Sequence, residues 1–278
     1  MFIFLLAVIT SALVSVIMRL SGRYIQNNLT MLASNYVMCT VLGFVCTQTG
    51  SLIPAWEGAG LTMVLGVING ILYLGGFVML QWNMKKNGVV LPATFMKLGV
   101  LVPALMAVTV FGEQPTVTQI AGVLAAVAAI ILIRFEKGQD RAQSASGLIL
   151  LLLCGGMADG MSKVYEHYGS AALSDHFLLI TFLVALLLCT GMCIAKKQSV
   201  TPMDVLFGLL IGIPNYFTAR FLLMSLDTIP AIVAYPCYSV GTIVLVTLAG
   251  WALFREKLSR RQWAALSIIL VSLVLLNL

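Results

Sequence analysis

Residues 111–133 read FGEQPTVTQIAGVLAAVAAIILI, and 143 positions later residues 254–276 read FREKLSRRQWAALSIILVSLVLL. Phe111 and Phe254, Glu113 and Glu256, Gln119 and Gln262, and Ala121 and Ala264 coincide without a gap. Each stretch ends one long apolar run, turns through a short polar link and opens another. The hydropathy on either side repeats as well, and self-similarity at a fixed period marks a duplicated architecture. The chain is therefore read as two copies, residues 1–138 and 146–278, joined across Glu136–Ser146, the one link with the look of a linker.

Of 278 residues, 60% are hydrophobic and 9% charged, whereas ordinary soluble domains carry about 25% charged residues. A soluble globule of this composition has too little polar surface to face water, so the chain is read as an all-α membrane protein. Ten apolar runs are long enough to cross ~30 Å of hydrocarbon as helices. They are residues 2–19, 30–49, 60–82, 89–111 and 117–134 in the first copy, and 147–165, 173–195, 203–226, 230–254 and 260–277 in the second. The links are short and leave no room for a soluble catalytic domain. The first run has no basic stretch before it and no clear small-residue cleavage site after it, so it is expected to stay as a helix. Cys39, Cys46, Cys154, Cys189, Cys193 and Cys237 all fall in apolar runs, where cysteine packs as a small hydrophobe; neither a disulfide framework nor a metal site is expected.

The net charge of +6 is unevenly placed. Thirteen of the sixteen basic residues lie in the links after runs one, three, five, seven and nine: Arg19, Arg23, Lys85, Lys86, Arg134, Lys137, Arg141, Lys196, Lys197, Arg255, Lys257, Arg260 and Arg261. The positive-inside rule makes these links cytoplasmic and puts both termini outside. The pairs Lys85–Lys86 and Lys196–Lys197 are topology signals near anionic lipid heads rather than a nucleic-acid surface. Five runs is an odd number, so the second copy enters the membrane from the opposite side, and the copies are inverted repeats. Inverted repeats are a recurring design of secondary transporters, with the substrate site near the midplane.

Two five-span copies, each with the F-x-E pattern at Phe111–Glu113 and Phe254–Glu256, a polar turn, a glutamine and a last span rich in small residues, resemble the EamA-like branch of the drug/metabolite transporter superfamily. The resemblance covers essentially the whole chain. It implies a ten-helix transporter in which spans three, four, eight and nine, with one and six, surround a cavity, and five and ten lie peripherally. Span five has Gly122 without a second, later glycine, and span ten has Ala265 and Ser267 where glycine is commoner, so close packing there is expected to rely on alanine and serine.

Charges inside the spans carry the rest, because each costs about 2.5–3.5 kcal/mol on insertion scales and persists mainly for function or pairing. Lys97 lies deep in the fourth run and Arg220 in the eighth, and an arginine fork grips carboxylate or phosphate through two hydrogen bonds. Asp159, in the sixth run, either pairs with Lys163 one turn on, or faces the cavity, where it pairs with Arg220 or Lys97 or carries a coupling proton. Around them stand groups able to orient a ligand or to pack as core: Asn69, Tyr73, Asn215, Tyr216, Tyr235 and Tyr238. Pro92, Pro103, Pro214 and Pro236 fall inside spans and are read as candidate hinges.

Zincin, P-loop and serine-hydrolase motifs do not occur, so neither an enzyme nor a cofactor is expected. The leading expectation is a secondary transporter, working by alternating access, of a small anionic or zwitterionic metabolite across the plasma membrane, in the inner membrane of a bacterium. Lys97 and Arg220 hold the anion and Asp159 serves coupling. Protons are the candidate coupling ion, the bilayer is the surrounding partner, no nucleic acid is involved, and monomer and homodimer stay open. The rivals are an exporter of hydrophobic or neutral compounds and a non-transporting membrane protein with buried structural ion pairs.

Overall fold

The structure is a computed structural model that describes residues 1–47, 57–87, 90–134, 145–254 and 260–276. Among these residues there is no strand, and eleven α-helices follow one another: α1 (Phe2–Ser21), α2 (Asn28–Cys46), α3 (Ala59–Asn87), α4 (Val90–Leu98), α5 (Leu101–Thr109), α6 (Val117–Arg134), α7 (Ala145–Tyr168), α8 (Ser174–Ala195), α9 (Pro202–Leu226), α10 (Ala231–Phe254) and α11 (Arg260–Leu276). Seven helical stretches are long and apolar enough to cross a membrane, and the apolar stretches Phe95–Thr109, Val117–Leu132 and Leu266–Leu276 are shorter. Side chains are sorted in the sense opposite to a water-soluble bundle. Leu13, Val41, Leu124, Leu187 and Leu270 face outward, whereas Thr62, Asn69, Asn83, Thr181 and Ser272 are buried. Lipid accepts the outward apolar groups, and the polar ones find partners only between helices.

The fourth apolar run departs from expectation. Residues 89–111 were read as one span, but α4 and α5 part at Gly99–Val100. Pro103 supplies the reason, since it has no N–H for the Gly99 carbonyl four residues back and its ring crowds that carbonyl. The Gly99 carbonyl instead accepts the Val102 amide at 2.9 Å, a tighter turn. The break also puts Pro103 third in α5, in the first turn, where a missing N–H is harmless, and Pro92 is the third residue of α4. Of the four candidate hinges, only Pro214 and Pro236 lie inside helices. Gly156 of α7 accommodates the bulging carbonyl: a Cβ there would overlap it and come within 2.6 Å of Val102 Cβ.

The chain forms two compact units, Met1–Leu74 with Val164–Ser225, and Gly75–Lys163 with Leu226–Leu278. Each draws helices from both halves of the sequence. In the first unit α2 and α8 pack antiparallel: the Cys189 thiol of α8 donates to the Leu29 carbonyl, while Gly43 at the other end of α2 lies on Leu179. Two further seams are built alike. Gly66 and Gly70 seat α3 on Phe177, Ile180 and Thr181 of α8, and Gly208 and Gly212 seat α9 on Met31, Ser34 and Asn35 of α2. Glycines four apart let backbones approach where no hydrophobic effect drives helices together.

In the second unit α6 and α11 also pack antiparallel. Gly122 lies on Leu276, Ser272 donates to the Gly122 carbonyl at 2.8 Å, and Ala126, Ala129, Val240 and Ile269 close a small apolar cluster. Small residues, alanine and serine among them, are used here, but one of the two that the sequence singled out takes no part. Ser267 faces outward and bonds the Trp263 carbonyl of its own helix, and the Ala265 side chain lies outside the described ones, as does all of Glu256.

Candidate functional site

The second unit brings three of the expected residues together. Lys97 stands in the last turn of α4, two residues before the break. The break lies against α7, where a Cβ on Gly99 would meet the Gly156 amide nitrogen at 3.1 Å and the Leu152 carbonyl at 3.3 Å. Asp159 is three residues beyond Gly156, on the helix against which the break lies. From α10, the Tyr235 hydroxyl donates to the main-chain carbonyl of Asp159 at 2.8 Å. Tyr235 is fully buried, and Tyr238, one turn on, is half-buried. The arrangement joins a cation, an anion and a phenol beside a helix interruption, where the end of α4 presents carbonyls and a cation is favoured.

Nearby, the F-x-E motif has a physical task. Gly112 turns the chain with φ +68°, a conformation that suits glycine, and both carboxylate oxygens of Glu113 then accept the first amides of α10, Ala231 and Ile232, each at 3.0 Å. Lys163 of α7 lies 3.2 Å from Glu113 Oε1 and 5.7 Å from the centre of the Phe111 ring. The acid beside Lys163 is thus Glu113, where the sequence offered Asp159.

The first unit holds the other expected residues. Arg220 grips Asp175 of α8 through two bonds, Nε to Oδ1 at 2.7 Å and Nη2 to Oδ2 at 2.9 Å. Arg220 is less deep than its place in the apolar run suggested, since it lies six residues from the end of α9 and its partner is the second residue of α8. Asn215 donates to Asn35 Oδ1 at 3.2 Å in the α9–α2 seam, and Asn69 donates to Thr181 at 3.4 Å in the α3–α8 seam. Tyr73 and Tyr216 both pack on Phe182, with ring centres 5.7 and 6.0 Å away, and Tyr216 is fully buried.

Three residues that the sequence reading passed over carry comparable weight. Asp175 stands at the start of the run 173–195, where nothing beside it in sequence marks it, and only the fold brings it to Arg220. Asp204, fully buried in the first turn of α9, accepts the amides of Gln26 and Asn27 at 2.8 and 3.2 Å and so fastens the α1–α2 turn. Asn83 of α3 donates to the Met79 and Gly147 carbonyls, both at 2.9 Å. The four-residue glycine spacing of Gly66–Gly70 and Gly208–Gly212 was a visible signal for the seams. All six cysteines are free thiols, and among the described residues no group of three His, Cys, Asp or Glu side chains is placed to hold a metal ion.

Known proteins resemble the chain as follows. The model of the EamA-like transporter family matches residues 146–278. An uncharacterized protein of Haemophilus influenzae is 24% identical over 201 residues, 70% of this chain and 68% of that one. The probable 4-amino-4-deoxy-L-arabinose-phosphoundecaprenol flippase subunit ArnE of Klebsiella pneumoniae is 34% identical over 101 residues, 34% of this chain and 88% of the subunit. Its counterpart in Proteus mirabilis is 31% identical over 111 residues, 36% of this chain and 95% of that one. A solved crystal structure at 14% identity superposes with a TM-score of 0.78 over 99% of this chain and 94% of the other, a likeness of fold alone.

Proposed function

Since the chain belongs to the EamA-like branch of the drug/metabolite transporter superfamily, we propose that it is a secondary transporter that carries a small anionic or zwitterionic metabolite across the bacterial inner membrane by alternating access. It is an integral, multi-pass membrane protein, and its relatives point to transport rather than catalysis. The proposal takes the chain as ten spans in two inverted copies, with α4 and α5 forming the interrupted fourth span and both termini outside. The antiparallel packing of α2 on α8 and of α6 on α11 supports the inversion, because equivalent spans of inverted copies run in opposite directions.

The observation that carries the functional reading is Lys97 two residues before the α4–α5 break, which lies against α7, the helix that bears Asp159. Interrupted helices are where secondary transporters expose main-chain groups and charge to a ligand. In this reading Lys97 holds the substrate anion, Asp159 serves coupling, and Tyr235 and Tyr238 shape the surroundings. Arg220, with Asp175, is a second charged centre in the other unit and a candidate anion grip; Asn69, Tyr73, Asn215 and Tyr216 support it.

The test is uptake of labelled metabolites into proteoliposomes holding the purified protein. Saturable uptake of an anion or zwitterion that is lost in Lys97→Met supports the reading. Uptake confined to neutral, hydrophobic compounds transfers the chain to the rival exporter class.

A second reading rests on the ArnE relatives. The substrate in their name joins an amino sugar to a lipid phosphate, so it bears both charges, and a flippase of a lipid-linked zwitterion would use the same centre. Transfer of a fluorescent polyprenyl-phosphate sugar between leaflets, without uptake of any soluble metabolite, would select it.

A further inference from the structure

Two turns of the first unit carry exposed cations and are fastened to each other. Arg23 belongs to the α1–α2 turn, Lys196 and Lys197 to the α8–α9 turn, and Arg19 stands one helical turn before Arg23; all four are exposed. Three contacts hold the turns side by side. Asp204 accepts the Gln26 and Asn27 amides, the Asn27 side chain donates to Gln198 Oε1, and the Thr30 hydroxyl donates to the Ser199 carbonyl at 3.1 Å. Gln198 directly follows Lys197, and Asn27 lies four residues beyond Arg23. Asp204 is the one acid in residues 19–28 and 195–204, and it is buried. The surface of this junction is therefore basic, and it attracts an anion from outside the chain.

Lys197 is costly where it stands. Its φ is +48°, the left-handed conformation that glycine adopts freely at a helix end and a residue with a side chain adopts under strain. Its own amide and that of Gln198 close the end of α8 on the Ile194 and Cys193 carbonyls, both at 3.0 Å. Glycine would serve that turn better, so what lysine adds is its charge. The border of the junction is apolar: Tyr24, stacked on Phe207 with ring centres 5.6 Å apart, is exposed, as are Leu20, Val200 and Met203. Cations beside an exposed tyrosine and aliphatic groups suit a ligand with phosphate at one end and acyl chains at the other, at the membrane–water interface. Cations come from both turns and exceed what one phosphate monoester or diester neutralises. We infer that the junction of the α1–α2 and α8–α9 turns binds the head group of a phospholipid with two phosphates, a cardiolipin. The inference concerns a partner within the bilayer and makes no use of the transport reading.

The experiment follows thermal unfolding of the full chain in detergent while one of four probes is titrated: cardiolipin, phosphatidylglycerol at twice the molar concentration so that phosphates match, phosphatidylcholine, or inorganic pyrophosphate. Native mass spectrometry counts the lipid bound. Cardiolipin is expected to raise the melting temperature saturably with one molecule per chain. Phosphatidylglycerol should half-saturate at a concentration at least about fivefold higher, since each of its molecules brings a single phosphate. Phosphatidylcholine and pyrophosphate should have no effect. Arg23→Gln and Lys196→Gln/Lys197→Gln are expected to weaken the cardiolipin response by about fivefold for each charge removed. Lys86→Gln, which removes an exposed lysine near the end of α3, should leave it unchanged. Lys197→Gly separates charge from fold: without the strained lysine the lipid-free protein melts no lower than the wild type, yet its response to cardiolipin weakens. Any one of five results overturns the inference: no response to cardiolipin, an equal response to phosphate-matched phosphatidylglycerol, a response to pyrophosphate, a full response in Lys197→Gly or the other charge variants, or the same loss in Lys86→Gln.

Discussion

The guanidinium of Arg220 meets the carboxylate of Asp175 side-on, with Nε 2.7 Å from Oδ1 and Nη2 2.9 Å from Oδ2. The fork geometry makes it a bidentate pair that lysine cannot reproduce. The side chains are 27% and 24% exposed, so partial solvation moderates the loss of either partner to about 1–2 kcal/mol, short of the 3–5 kcal/mol of a fully buried pair. Arg220→Met and Asp175→Leu are expected to be non-additive: the double variant loses less than the sum of the singles in thermal unfolding in detergent. Strict additivity would show that the pair contributes nothing as a pair.

Lys97→Met separates ligand binding from structural pairing. The proposed role predicts a folded protein with roughly ten- to hundredfold weaker affinity, equivalent to one charge-assisted hydrogen bond of about 1.5–3 kcal/mol. Lys97→Arg restores only part of the affinity, because the fork differs in shape from the ammonium. A ligand-free Lys97→Met protein destabilised by about 3–5 kcal/mol would instead mark Lys97 as half of a structural ion pair.

Gly156 and Gly155 are neighbours with opposite expectations. A methyl group on Gly156 overlaps the Gly99 carbonyl, whereas one on Gly155 meets nothing within 4 Å. Gly156→Ala is therefore expected to cost about 1–3 kcal/mol by overpacking and to slow uptake by displacing the break. Gly155→Ala should be neutral or stabilising by up to about 1 kcal/mol, since alanine favours the helix. Equal melting temperatures for the two variants would remove Gly156 from the account of the break.

Glu113 answers two kinds of positive charge, the Lys163 ammonium and the amino end of α10. The side chains of Lys163 and Glu113 are only 9% and 16% exposed, so Glu113→Ala takes the carboxylate from a buried cation and from two amides and should cost about 3–5 kcal/mol. Lys163→Met should cost less, because the α10 amides still compensate the carboxylate. Thermal unfolding of the two variants reads this order directly, and the reverse order would contradict it.

The placement of the basic residues predicts that a reporter active only in the cytoplasm works when inserted in Glu136–Ser146 and fails when fused after Leu278. Activity at the Leu278 fusion would invert the orientation proposed for the chain.

The sequence by itself determined that the chain is helical and apolar, because hydrophobic run length is a local property that survives without knowledge of any neighbour, and its fixed-period echo is the ground on which a duplication is proposed. Its family was legible from Phe111–Glu113 and Phe254–Glu256 in their context between runs. The isolated charges Lys97, Asp159 and Arg220 stood out for the same reason, since an ionisable residue inside a long apolar run is conspicuous in one dimension. Tertiary structure alone decided their partners. Asp175 lies 45 residues from Arg220, and Glu113 lies 50 from Lys163 and 118 from Ala231, so helix packing, not spacing along the chain, brings them into range. The break after Lys97 was decided in both places. Pro103 removed a hydrogen bond in a way the sequence already displayed, but the bulge at Gly99 needed Gly156 on another helix to leave room for it. A local defect becomes a fixed feature of the fold only where a neighbouring surface fits it.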